Sequence, residues 1–134
     1  MDITVRFPGG KKVDAIVGDH VIHTDQPVAA GGEGSAPEPF TLFLASLATC
    51  AGIYVLGFCK ARGIPTEGVG LVQHSESDPE THMLTSVTIE VQLPASFPDK
   101  YVEAVRRAAE LCKVKKTLAA PPELHVRTAV TAPA

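Results

Sequence analysis

A chain of 134 residues with a formal net charge of −3 is the size of one domain and too short for two ordinary cores. It is expected to fold as a single domain over residues 1–134. The acidic balance supplies no basic field of the kind that nucleic acid or an anionic membrane surface demands, so neither is an expected partner. With no tryptophan and 45% apolar residues, the composition describes a packed globular core rather than a disordered or base-stacking chain.

Met1 to Val17 alternates charged and apolar positions and lacks the basic start, apolar run and small-residue cleavage site of an export signal. A cytoplasmic protein is expected. Ile3-Val5-Phe7 and Val13-Ala15-Val17 alternate with polar neighbours around Pro8-Gly9-Gly10, which predicts a β-hairpin, and Val21-Ile22 predicts a third short strand. Gln26 to Pro37, rich in glycine and proline, is a long loop, and such loops are often functional.

Pro39 suits the first turn of a helix, and the apolar pattern then runs to Gly63, a C-terminal cap followed by Pro65. No charged residue falls between Pro39 and Cys59, a length that can span a bilayer. A core helix, apolar on all sides, satisfies the same pattern. Ser46, Thr49, Cys50, Gly52 and Tyr54 dilute the hydrophobicity and favour that reading. Leu71 to Ser75 and Thr85 to Leu93 read as further strands flanking a polar turn over Glu76 to Thr81. Ser96 and Asp99 flank Pro98 in a capping-box-like arrangement, and Tyr101, Val105, Ala108 and Cys112 follow at helical spacing. After Pro121-Pro122, Leu124 to Val130 alternates as a last strand. The order of three strands, long helix, two strands, helix and strand predicts an α+β fold with a mostly antiparallel sheet packed on a central helix.

Three cysteines in a chain without an export signal are poorly explained as a disulfide framework. Cys50 sits mid-helix among small residues, and Cys112 falls on the inward stripe of the later helix. Each is compatible with plain packing, because cysteine is among the most buried residue types. Lys113, Lys115 and Lys116 directly follow Cys112, and neighbouring cations favour the nucleophilic thiolate. Cys59 lies about 900° of helical rotation from Cys50, on the opposite face, so those two cannot join within an intact helix. The chain has no Cys-x-x-Cys and no histidine spaced to a cysteine as in a zinc motif, so no metal is expected. Nor does it carry a nucleophile elbow, a phosphate-binding loop or a dinucleotide fingerprint, and no cofactor is expected.

The segment Pro37-Glu38-Pro39-Phe40-Thr41-Leu42-Phe43-Leu44-Ala45-Ser46-Leu47-Ala48-Thr49-Cys50, with its Leu-x-x-Leu-x-x-Cys ending, resembles the OsmC-like superfamily, which includes the organic hydroperoxide resistance proteins. Leu111-Cys112-Lys113-Val114 through Leu118 occupies the place of the family's second cysteine, and the order of elements agrees over nearly the whole chain. The resemblance implies an intertwined homodimer with long helices at its centre. It also implies a peroxidase-type, stress-response redox activity in which Cys50 attacks an organic hydroperoxide and Cys112 resolves the product as a disulfide. A small thiol or dithiol would then reset the pair.

The hydroperoxide-resistance branch carries a glutamate ten residues before its first cysteine, paired with an arginine from the N-terminal strands. Phe40 holds that position here, Glu38 is out of register, and Arg6 is the one arginine before the helix. Lys113 stands where the family usually has proline after its second cysteine. The chain therefore resembles a divergent OsmC-like branch. Phe40 and Tyr54 are candidates to line an apolar substrate pocket, with Asp25 and His23 (or His20) as further candidates to contact the site. The same features suit a non-catalytic dimer that binds a small apolar ligand.

Overall fold

The computed structural model describes residues 1–132, which form two compact units. Residues 1–49 and 71–90 make the first, and residues 50–70 with those from 91 onward make the second.

In the first unit, strands β1 (Thr4–Gly9), β2 (Lys12–Val17) and β3 (His20–Thr24) form an antiparallel sheet in the order β1-β2-β3. Gly9 and Gly10 take positive φ at the first turn, as the Pro-Gly-Gly signal requires. The register aligns Arg6, Asp14 and His23 across the three strands. Arg6 donates from Nε and Nη2 to Asp14 Oδ2, both at 3.2 Å, and His23 Nδ1 lies 2.9 Å from Oδ1. Asp14 is buried, and the hydrogen bonds from His23 and then Arg6 hold its carboxyl below the usual carboxylate range.

Asp25 follows β3 and organises the long loop. Its carboxylate accepts from the backbone N–H groups of Gln26 (2.8 Å), Glu33 (3.3 Å) and Ser35 (3.1 Å) and from the Ser35 hydroxyl (2.6 Å). The Ser35 bonds are the leading cause that lowers its pKa from 3.8 to about 2. Lys12 pins the outside of the loop through Glu33 at 2.7 Å. Gly32 is forced: a Cβ there would overlap the Gln26 carbonyl and come within 2.9 Å of Asp25 Oδ1.

Helix α1 (Pro39–Ala61) begins in the first unit and ends in the second. Gln73 on β4 donates from Nε2 to the Leu44 carbonyl of α1 at 3.0 Å. Strands β4 (Gly70–Ser77) and β5 (Leu84–Gln92) form a two-stranded antiparallel sheet around a turn in which Asp78 caps the Glu80 and Thr81 amides.

In the second unit, α1 ends as its sequence predicts. Gly63 takes φ 63°, its N–H bonds to Lys60 O, and the Ile64 N–H bonds back to Cys59 O. That pair of bonds is the Schellman arrangement, and it satisfies the last carbonyls of the helix. Ala51, Val55, Phe58 and Cys59 bury one stripe of α1, and Phe97, Val105 and Cys112 supply further buried side chains of the unit. Helix α2 (Val102–Glu110) is entered through a 3-10 turn over Asp99–Tyr101 rather than a capping box; no side chain caps either start, because the Tyr101 and Phe97 amides bond back to Pro98 and Pro94 carbonyls. Leu111 ends α2, and α3 (Lys113–Ala119) starts afresh from Cys112.

The α+β prediction thus agrees with the structure, with one correction. The last strand expected over Leu124 to Val130 does not form among the described residues: from Pro121 onward they are neither helix nor strand. Leu124, Val126 and Val130 are 89%, 100% and 102% exposed. Alternation selects a face for a strand, but a ladder also needs a strand to pair with, and among the described residues this segment pairs with none.

Gly32→Ala is expected to cost about 1–3 kcal/mol, because the obstruction is backbone and cannot swing aside; urea unfolding measures it. Asp25 is more acidic folded than unfolded, so its stabilisation is complete above the unfolded pKa and is lost as the pH falls from 3.8 toward about 2. Asp25→Asn should lower Tm at neutral pH and remove that part of the acid dependence, read by thermal melts between pH 7 and pH 2.

Candidate thiol site

Cys112 occupies the break between α2 and α3. With φ −45° and ψ 122° it leaves helical geometry, and its sulfur accepts from the Lys115 N–H at 3.5 Å as the N-cap of α3. This turns the amides that follow toward Cys50 in the middle of α1. The Val114 amide, then the Cys112 thiol, the Lys113 amide and the Lys113 charge all act to lower the Cys50 pKa.

The two thiols are therefore unequal. The Val114 amide, followed by the Cys112 thiol, lowers the Cys50 pKa against an opposing burial cost. Burial raises that of Cys112, which is only 1% exposed, and donation to Cys50 raises it further. Cys50 itself is partly exposed. The arrangement sets a partly exposed, acidified thiol against a buried one whose pKa is raised, and each acts on the other's titration. A disulfide would need them to close to about 2.05 Å.

The lysine run behaves differently from its sequence reading. Lys113, Lys115 and Lys116 were expected to acidify Cys112, their chain neighbour. Lys113 instead acts on Cys50 across the fold, while burial outweighs the Lys115 amide at Cys112.

Cys59, wholly buried on the other face of α1, has its pKa raised by burial and stays apart from the pair. Tyr54 lies one turn beyond Cys50 on the same face of α1, 37% exposed. Phe40 belongs to the first unit, 52% exposed, its ring stacked on Phe43 at 5.5 Å. His23 and Asp25 also belong to the first unit, where His23 bonds Asp14 and the Asp25 carboxylate is taken up by its own loop. The amides of Lys113 and Val114 escaped the sequence reading, since backbone donors carry no residue signature. A cleft of about 640 Å³ in the second unit is lined by Arg62, Ile64, Pro94, Phe97 and Tyr101 among others, and by neither Cys50 nor Cys112. No His, Cys, Asp and Glu cluster able to hold a metal occurs among the described residues.

Comparison with known proteins adds three findings. A family model described as OsmC-like protein matches residues 32–127. No curated protein matches the chain. Among solved structures, a Psychrobacter arcticus protein assigned to the osmotic stress and detoxification response is similar with a TM-score of 0.71 at 24% identity, over 86% of this chain and 85% of that one. An organic hydroperoxide resistance protein from Legionella pneumophila has a TM-score of 0.52 at 21% identity, over 88% of this chain and 89% of that one. The Bacillus subtilis organic hydroperoxide resistance protein OhrB has 0.53 at 21%, over 90% of each chain. At these identities the structures speak for the fold.

Partial exposure and a lowered pKa make Cys50 the first thiol to react. Iodoacetamide at pH 7 should alkylate it at least about tenfold faster than Cys112 or Cys59, as followed by peptide mass mapping over time.

Proposed function

Because the chain belongs to the OsmC-like family, we propose that it reduces organic hydroperoxides, with Cys50 as the attacking thiolate and Cys112 as the resolving thiol. The observation that supports this reading is the opposite displacement of the two thiol pKa values, each thiol acting on the other. The Cys50 thiolate attacks the terminal oxygen of ROOH. Two electrons pass from sulfur into the O–O bond, Cys50 becomes a sulfenic acid, and the RO⁻ leaving group takes a proton from water to give ROH. The Cys112 thiol then attacks the sulfenic sulfur, forming the Cys50–Cys112 disulfide and releasing water. A dithiol reductant restores both thiols by exchange and is itself oxidised to a disulfide. No resident metal or cofactor is required.

The acting form is a cytoplasmic homodimer and a single domain per chain. Support comes from apolar surface that one chain leaves open: Phe7 on β1 is 79% exposed and Ile53 on α1 is 59% exposed. Helix α1 is long and apolar enough to cross a membrane, with only 22% of its most apolar window buried within the chain. A second copy packed on α1 and on the apolar Leu124 to Val130 segment would cover this surface without a bilayer. Phe40 and Tyr54 are the proposed apolar contacts for the organic group of the peroxide. Asp25 would act by shaping its loop, and His23 by its place beside Asp14.

The exposed Phe40 ring, standing where the hydroperoxide-resistance branch has a carboxylate, also suits a dimer that only binds an apolar ligand. The acidified Cys50 counts against that reading, since a packing thiol needs no such donors.

Cumene hydroperoxide with a dithiol should be consumed by the wild-type protein, and peptide mapping after peroxide alone should find Cys50 linked to Cys112. Cys50→Ser should abolish turnover. Cys112→Ser should accumulate a sulfenic acid trappable by dimedone. Peroxide left untouched by the wild type, with no linkage, overturns the reading, and sedimentation equilibrium tests the dimer through a mass twice that of the chain.

A further inference from the structure

The chain leaves α1 through a cation that the thiol site does not use. Arg62 follows Ala61, the last residue of the helix; its Nη1 donates to the Phe58 carbonyl at 3.2 Å, and its guanidinium lies 3.7 Å over the Phe58 ring and 5.6 Å from the Tyr101 ring. The two rings meet edge to face at 5.8 Å, and the Lys100 ammonium stands 5.0 Å from the Tyr101 ring. Stacking on a ring holds a guanidinium in one plane, and the N–H groups it has not used lie in that plane, where a carboxylate can accept two of them at once. Neither Arg62 nor Lys100 forms an ion pair among the described residues. Both line the cleft of about 640 Å³ in the second unit, a volume suited to a small organic molecule.

The remaining walls are apolar and stiff. Phe97, 5% exposed, and Ile64 face the cleft, and Pro65, Pro94 and Pro98 fix the backbone around it. Pro94 packs so closely on Gly68 that a Cβ there would come within 3.1 Å of it. Glu67 sets one carboxylate in the lining against the two cations, which leaves a single net positive charge. That balance suits one acid group and disfavours a dianion. We propose that this cleft binds a small monocarboxylate with a flat apolar body. Arg62 takes the carboxylate, the exposed Lys100 adds its charge, and the body lies against Ile64, Phe97 and Tyr101, a pre-formed surface that costs little ordering on binding. Neither Cys50 nor Cys112 lines the cleft, and neither do Phe40 and Tyr54, so the site goes beyond the peroxide-reductase reading and depends on none of its residues.

Equilibrium dialysis of the full chain compares 2-naphthoate with 2-naphthamide, its neutral analogue of the same shape, and with inorganic phosphate. The wild type should bind 2-naphthoate saturably with a Kd below about 1 mM and 2-naphthamide at least about tenfold more weakly, and phosphate should not compete. Arg62→Met should weaken 2-naphthoate binding at least about tenfold, and Lys100→Met about threefold, because that cation is exposed. Arg107→Met removes an exposed cation of α2 outside the cleft and should change nothing. Arg62 also caps a helix carbonyl, so a thermal melt accompanies each variant, and Ser96→Trp fills the cleft while both cations stay and should abolish binding. The proposal is overturned by a wild type that does not bind 2-naphthoate, by equal binding of the amide, or by affinity retained in both Arg62→Met and Ser96→Trp. Dialysis involves no peroxide: a wild type that binds 2-naphthoate yet leaves cumene hydroperoxide untouched sustains this site while the peroxidase reading fails.

Discussion

A thiol on an apolar helix has little reason to be acidic, and what lowers the pKa of Cys50 here comes from one backbone break. Cys50 lies on a helix with no charged side chain near it in sequence, so α1 alone would leave an ionised sulfur with little but its burial cost. The end of α2 at Leu111 changes that. The non-helical backbone at Cys112 restarts the chain as α3, and the amides freed at that restart are among the groups that lower the Cys50 pKa. Amides at the start of a helix have no intrahelical acceptor, so a sulfur anion satisfies donors that would otherwise face water. Were α2 to run on unbroken, the Lys113 and Val114 N–H groups would be spent inside it.

The same break separates the two thiols chemically. Cys112 is buried by its place on the inner stripe that Val105 also occupies, and its sulfur is committed as the N-cap of α3. Cys50 faces partly outward from among small residues, which admit both a reagent and the close approach of α3. Burial and hydrogen bonding thus push two identical side chains in opposite directions, a division of labour produced by environment rather than residue type. Cys59 shows the limiting case: on the same helix, wholly buried, with a raised pKa.

Elsewhere the polar groups serve the fold. Asp25 gathers three amides and a hydroxyl into a clasp for residues 26–35, and the lack of a side chain at Gly32 lets the loop close on it. Arg6, Asp14 and His23 tie the three strands together on one face. These contacts make a rigid N-terminal sheet whose apolar side chains, Val5, Phe7 and Val21 among them, remain outside any core of the single chain.

What the sequence determined by itself was local. The Pro-Gly-Gly hairpin, the Gly63 cap and the separation of Cys59 from Cys50 each follow from a few adjacent residues, or from the period of a single helix, and all are found in the structure. The family motif around Cys50 singled out the two thiols whose pKa values shift in opposite directions. What only the tertiary structure decided was non-local. Lys113 was legible as a charge beside Cys112, yet its charge acts to lower the pKa of Cys50, which lies far from it in sequence. Backbone amides leave no trace in a residue pattern, so the main donors to the thiolate could not be read. Leu124 to Val130 kept the alternation of a strand yet pairs with no strand among the described residues, since alternation belongs to the segment and pairing belongs to its partner.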